Sequence, residues 1–230
     1  MTWTLCGGLE VTAPAFPVSH HWPVRLSCGS IILEPFHPRW SAQVNALRAR
    51  NAAWLTPWDA TWPHVTEPIP TNRRLKQMWS DAREGLMAPW LIRRRRSMTT
   101  TPELIGQVTL SNIVYGSAMT ASLGYWLDQD QAGQSIMPAA VALVVDYAIA
   151  SIGLHRVEIC IVPENQPSHR VVDKLGFRYE GRRLGFLHIA GSWRDHDVFA
   201  LTAPEMPQGL IGRVARSVYF PGDSGAIAVE

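Results

Sequence analysis

The chain has 230 residues, 47% of them hydrophobic, which is enough for one large domain or two small ones with a real core. Its 21 Lys and Arg against 19 Asp and Glu leave a formal charge of +2, too balanced for general nucleic-acid affinity, so no direct nucleic-acid role is expected. Cys6, Cys28 and Cys160 are odd in number and widely spaced, which excludes a C-x-x-C zinc site or a disulfide framework; no metal is expected. The N-terminus lacks a charged start and apolar run, and no window reaches the roughly 20 apolar residues of a bilayer span, so a cytoplasmic protein without a membrane partner is expected.

Residues 1–22 carry Gly7, Gly8, Pro14 and Pro17 without a period and read as an irregular N-terminal extension. A strand near 24–35 precedes a helix near 38–50, in which Trp40, Val44 and Leu47 fall at helical spacing. The stretch Asn51–Asp59 reads as an indole-rich loop. A helix near 71–87 sets Leu75, Met78, Trp79, Ala82 and Leu86 along one side. Strands follow near 89–97, 103–113 and 118–128.

The next helix is the most strongly patterned element, because Met137, Val141, Val144 and Ala148 recur at i, i+4, i+7 and i+11, with Pro138 in its first turn and Gly153 beyond its end. A strand over 155–162, a turn over 163–166, a short helix over 168–175 and two strands near 177–190 and 194–201 complete the pattern. After Leu201, prolines and a Pro-Gly-Asp-Ser-Gly cluster suggest an appendage, so 205–230 reads as a C-terminal extension to a domain over 23–204.

The strand Gly124-Tyr-Trp-Leu127 runs into Asp128-Gln-Asp-Gln-Ala-Gly-Gln-Ser135 and then into that helix. A loop feeding a helix N-terminus offers unpaired N–H groups and the positive end of the dipole, a natural phosphate site. Gly133 permits close approach of a ligand, and Ser135 is small. No Lys-Ser or Lys-Thr follows, so this is not a nucleotide-triphosphate loop, and Gly-x-Ser is not the dinucleotide fingerprint. Taken alone, the stretch is also consistent with an ordinary strand-to-helix turn.

Taken with Asn165-x-x-Ser168, Lys174-Leu-Gly-Phe177 and the order of elements, the loop resembles the GNAT family of acetyl-CoA-dependent N-acetyltransferases. The pieces HRVEICIVPENQPS, KLGFRYEG and GSWRDH are similar to its RimJ/RimL branch, which acetylates protein N-termini, notably of ribosomal proteins. The likeness runs from about Leu104 to Thr202 and more loosely back to the strand near 30. It implies an α+β fold whose mixed, mostly antiparallel central sheet, flanked by helices, splays into a V between the strand ending at Leu127 and the one starting at His155. The pantetheine arm of acetyl-CoA would add along the first strand by edge pairing. Its diphosphate would rest on the N–H groups of Gly133, Gln134, Ser135 and Ile136. The partner it implies is a protein N-terminus, as on a ribosomal protein; oligomeric state stays open.

The resemblance also implies roles. A backbone N–H near Trp126 or Leu127 would stabilise the oxyanion, and Ser168 would serve the leaving thiol, its alternative being a helix cap. Asn165 would hold the pantetheine or the helix start. Many relatives carry a proton-donating Tyr where this chain has Val172. No base stands out. Glu158 falls on the opposite strand face from Ile159, where some relatives have theirs, and a RimL-like position falls on Leu187, leaving Glu103, His188 or a water chain. Trp54 and Trp58 are candidates for an acceptor groove, and Arg93–Arg96 for an acidic partner or a solvated strand end. Asp195-His196-Asp197 reads as structural, and Ser192 lacks a nucleophile elbow. Two other readings keep the coenzyme: acetylation of a small amine, or a non-catalytic acyl-CoA sensor.

Overall fold

The computed structural model describes residues 2–5, 9–12, 22–64, 71–97, 99–214 and 227–229. Strands β1 (Thr2–Leu5) and β2 (Leu9–Thr12) pair as a small separate hairpin where the sequence suggested only irregular chain. The main sheet has the order β11-β3-β4-β5-β6-β7-β8-β10-β9. Its members are β3 (Leu26–Cys28), β4 (Ile31–Pro35), β5 (Ala88–Arg94), β6 (Glu103–Val114), β7 (Thr120–Leu127), β8 (Arg156–Ile161), β9 (Arg178–Ile189), β10 (Ser192–Thr202) and β11 (Ile227–Val229). Every pairing is antiparallel except that of β7 with β8. The expected single strand over 24–35 is broken into β3 and β4 at Gly29, whose φ of 56° is a turn conformation that glycine adopts freely.

Two helical layers cover the sheet. On one face, α1 (Ser41–Arg50) and α3 (Thr71–Arg83) pack Val44, Leu75, Phe36 and Leu91 into a cluster that Trp40 and Trp126 flank. The helix expected to reach residue 87 stops at Arg83; Gly85 has φ 75°, and Leu86 lies exposed beyond it. The stretch 51–59 is not loop but α2 (Ala52–Leu55) followed by a 3₁₀ turn over Thr56–Trp58.

On the other face lies α4 (Ile136–Ala150), and all fifteen of its residues are buried. The predicted apolar stripe is therefore one part of a helix wrapped on every side. The sheet takes one side, α5 (Gln166–Leu175) another, and the segment after β10 the third. Met206, Leu210, Ile211 and Val214 are buried in the same core. The reading of 205–230 as an appendage thus fails for its first ten residues, and Asp146 shows why. This buried carboxylate on α4 accepts the N–H groups of Leu210 at 2.7 Å and Ile211 at 3.0 Å, which pins the segment to the helix. Residues 215–226, with the Pro-Gly-Asp-Ser-Gly cluster, lie outside the described residues.

Substitutions at two positions test this packing. Asp146→Ala leaves two buried N–H groups without acceptors and should cost roughly 2–4 kcal/mol in chemical denaturation. Burial raises the Asp146 carboxyl from its usual 3.8 to about 6, although the Ile211 and Leu210 amides and the Arg213 charge pull it down. With the folded value above the unfolded one, its contribution to stability is full below about pH 4 and is lost as pH rises through about 6. Asp146→Asn should flatten that slope in a stability-against-pH series. Gly106, on β6 opposite Leu127, has no room for a methyl group, since a Cβ there would lie 2.5 Å from the Trp126 carbonyl. Gly106→Ala should cost roughly 1–3 kcal/mol, read from the denaturation midpoint.

Candidate active site

The site begins where a ladder stops. β7 and β8 are paired only from Thr120–Ser122 to Arg156–Glu158. Beyond Ser122 the strands part, while β7 stays bonded to β6 as far as Leu127 and β8 to β10 as far as Ile161. Each arm therefore keeps its outer ladder and presents a free inner edge with alternate N–H and C=O groups. Such edges need partners, and an extended amide chain of the right length supplies them. Tyr125 and Leu127 pack toward α4, and Trp126 toward the α1 and α3 layer. The Trp126 indole meets Gln107 Oε1 at 3.4 Å and lies beneath the Arg48 guanidinium.

The loop at the end of the β7 arm has the form of an anion nest. The backbone is left-handed at Gly133 (φ 78°) and again at Ser135 (φ 59°), which turns successive N–H groups toward one side. Ser135 occupies the N-cap of α4, yet its side chain makes no capping bond; its Oγ is held by Lys174 Nζ at 2.6 Å. No acceptor among the described residues meets the N–H groups of Gly133, Gln134, Ser135 or Ile136. These donors suit a diphosphate, and the open edge of β7 leads away from them toward α5, so the residues present fit the coenzyme a GNAT protein uses.

Ser168 sits in the first turn of α5, across the V from β7. Asn165 is the N-cap of that helix, and its Oδ1 accepts the Ser168 N–H at 3.2 Å. Of the two roles suggested for Asn165, the structure shows the helix-start one. The Ser168 side chain does not cap the helix. One neighbour went unnoticed in the sequence: the Tyr125 hydroxyl reaches over the gap to within 3.5 Å of the Ser168 carbonyl. Burial pushes the Tyr125 phenol well above its ordinary range, so it stays a neutral donor. Only the parting of the strands brings these two together; the available signal was Tyr125 lying on the face of β7 opposite Trp126.

The indoles Trp54 and Trp58 lie half-buried on a strap running from α1 to the far arm. At its start, Asn51 Oδ1 accepts the Gln129 N–H at 2.9 Å, and Arg50 pairs with the buried Asp128. At its end, the Asp59 carbonyl accepts the Ala190 N–H at 3.0 Å, and Thr61 donates its N–H to the His188 carbonyl at 2.9 Å. The strap is thus fastened to both arms of the V. Arg48 clasps Asp59 with bonds of 2.7 and 2.6 Å.

The candidate bases are all engaged. Glu103 lies beyond the end of β7 in an exposed pair with Arg96, His188 Nδ1 is 2.7 Å from Thr61 Oγ1, and Glu158 is shared by Arg156 and Arg183. The arginine run splits its duties: Arg93 turns inward to Glu34 and stacks on Trp40, Arg94 bonds Gln131 and Gln134, and Arg96 takes Glu103. In the 195–197 triplet, Asp195 accepts the Gly185 N–H, Asp197 holds Arg182 and the buried His196 bonds the Arg194 carbonyl, a structural set. No group of three metal-ligating side chains occurs among the described residues, and no described helix is long and apolar enough to cross a membrane.

Comparison with known proteins agrees with this geometry. Residues 30–178 match the model of the acetyltransferase (GNAT) domain. A probable N-acetyltransferase of Bacillus subtilis, YjcK, is 45% identical over 105 residues, although the aligned part spans only 58% of that relative. The ribosomal protein uS5-alanine N-acetyltransferase of Escherichia coli is 28% identical over 193 residues, covering 81% of this chain and 94% of that one. The structure of Mycobacterium smegmatis RimJ, in complex with CoA-disulfide, superposes with a TM-score of 0.74 at 30% identity over 85% of this chain and 95% of that one. With the parted strands, the uncapped loop and these matches together, the chain belongs to the GNAT acetyltransferase family.

Proposed function

We propose that this protein transfers the acetyl group of acetyl-CoA to the α-amino group of a protein N-terminus, with ribosomal proteins as the substrate class. The observation that carries the donor half is the free inner edge of β7 running from the uncapped loop at 133–136 toward Ser168. The acceptor half rests on the strap and on the two relatives that span nearly their whole length, one of which is named for a ribosomal protein. The carboxylates on the strap and at the end of β7, Asp59 and Asp128, are each neutralised by an arginine. A small polycationic amine would need such acids free, which favours a peptide laid across Trp54 and Trp58.

Bound acetyl-CoA supplies a thioester carbonyl at the apex of the V. Of the two backbone N–H groups considered, that of Trp126 points into the ladder with β6, so the Leu127 N–H on the free edge would stabilise the oxyanion that forms when the amine attacks. The nitrogen–carbon bond forms, the carbon–sulfur bond breaks, and Ser168 Oγ relays a proton to the departing thiolate, recovering one from the water that takes the amine's proton. Tyr125 holds the helix turn that carries Ser168. An N-terminal amine titrates near ~8, so a useful fraction is neutral at physiological pH and its proton leaves to water. The ion pair that holds Glu103 fits this scheme, in which no protein carboxylate need act as base.

Ser168→Ala should lower turnover on the order of 100-fold while leaving coenzyme affinity within about threefold, in steady-state kinetics beside calorimetry. Mass spectrometry of peptides starting with Ala or Ser, incubated with enzyme and acetyl-CoA, should show one added acetyl on the α-amine. Acetylation confined to small amines would transfer the reading to those substrates, and coenzyme binding without any acetylation would leave a sensor.

A further inference from the structure

The loop from Asp128 to Ser135 contains two carboxylates and no cation, an unexpected composition for a segment proposed to receive a diphosphate. Arg50 offsets Asp128, and Asp130 remains. Backbone donors alone carry only partial positive charge. Two further cationic side chains from elsewhere reach the loop. Arg94, near the end of β5, donates through Nη1 to Gln131 Oε1 at 2.8 Å and Gln134 Oε1 at 2.6 Å. Lys174, in the last turn of α5, donates to Ser135 Oγ at 2.6 Å. Every one of these acceptors is neutral. Among the described residues, by contrast, Arg48, Arg50, Arg93, Arg96, Arg156, Arg178, Arg182, Arg183 and Arg194 each take a carboxylate.

We propose that Arg94 and Lys174 form a two-cation clamp on the diphosphate of the coenzyme, closing from β5 and α5 on the nest at 133–136. This rests on the donor half of the function proposed above. The neutral bonds to Gln131, Gln134 and Ser135 hold the two cations in place beside the nest, so little ordering remains when the anion arrives. An oxyanion is a stronger acceptor than an amide or hydroxyl oxygen, and the cations gain by the exchange. The clamp also assigns a task to one member of the arginine run and to the Lys of Lys174-Leu-Gly-Phe177.

Calorimetry with CoA and with 3′-dephospho-CoA tests the clamp without any turnover. Arg94→Met and Lys174→Met should each weaken both ligands by the same factor, about tenfold. Arg94→Lys and Lys174→Arg should recover most of the loss. The gap between wild type and each Met variant should close as salt rises from about 50 mM to about 500 mM, which a merely structural role would not produce. Unchanged thermal unfolding would show that the variants fold. A loss confined to CoA would move the cations to the 3′-phosphate and overturn the diphosphate assignment. Unchanged affinity for both ligands would overturn the clamp while sparing the donor site. A wild-type protein that binds neither ligand would sink the donor site and the clamp with it.

Discussion

Everything in the site follows from an interrupted hydrogen-bond ladder. Two parallel strands bond through Ser122 and Glu158 and then separate, although each still has residues to offer. A pair of free edges inside a fold is costly unless something pairs with them. The sheet tolerates the gap because both arms keep their outer neighbours, β6 and β10, and because α4 supports the sheet from below. The proposed binding cleft is thus in large part backbone that the β7–β8 ladder leaves unpaired.

That arrangement requires a rigid support, which explains the character of α4. An ordinary surface helix would leave a polar stripe to solvent and move with it. Here the apolar residues continue around the helix, and the single carboxylate, Asp146, is used to fasten the chain after β10. The helix whose first turn would meet the diphosphate is therefore gripped on three sides, and its N–H groups keep their positions relative to β7. Gly106 contributes from the other direction. Its missing side chain lets β6 lie against the Trp126 and Leu127 backbone, where the oxyanion donor would be.

Much of this was legible in the residues. Period-2 and period-3.6 patterns placed the strands from β5 to β10 and the helices α1, α3, α4 and α5 to within a few residues, α4 by a stripe that is only one part of its buried surface. The V and the nest were legible only through several motifs together, since no single turn or serine distinguishes itself from a structural one. What stayed hidden depended on tertiary contact. The buried 206–214 segment looks like a Pro-rich tail until Asp146 is seen to hold it, and α2 looks like a loop until Asn51 is seen anchoring it to Gln129. Tyr125 was missed for the same reason: its partner is 43 residues away and meets it only across the parted strands.

The distribution of charge along the V separates binding from chemistry. At the loop end stand Arg94 and Lys174, with neutral partners and a set of uncapped amides, so electrostatic attraction is concentrated where the coenzyme's charge would be. Near Ser168 stand its own hydroxyl, the Tyr125 phenol held neutral by burial, and the backbone amides of the parted strands. A neutral amine attacking a thioester develops charge only in passing, so fixed dipoles suit it better than a full countercharge, which would hold an ammonium in its unreactive form. A site that binds with cations at one end and reacts among dipoles at the other can grip its donor tightly without trapping the acceptor. This division is already present in the protein's own hydrogen bonds.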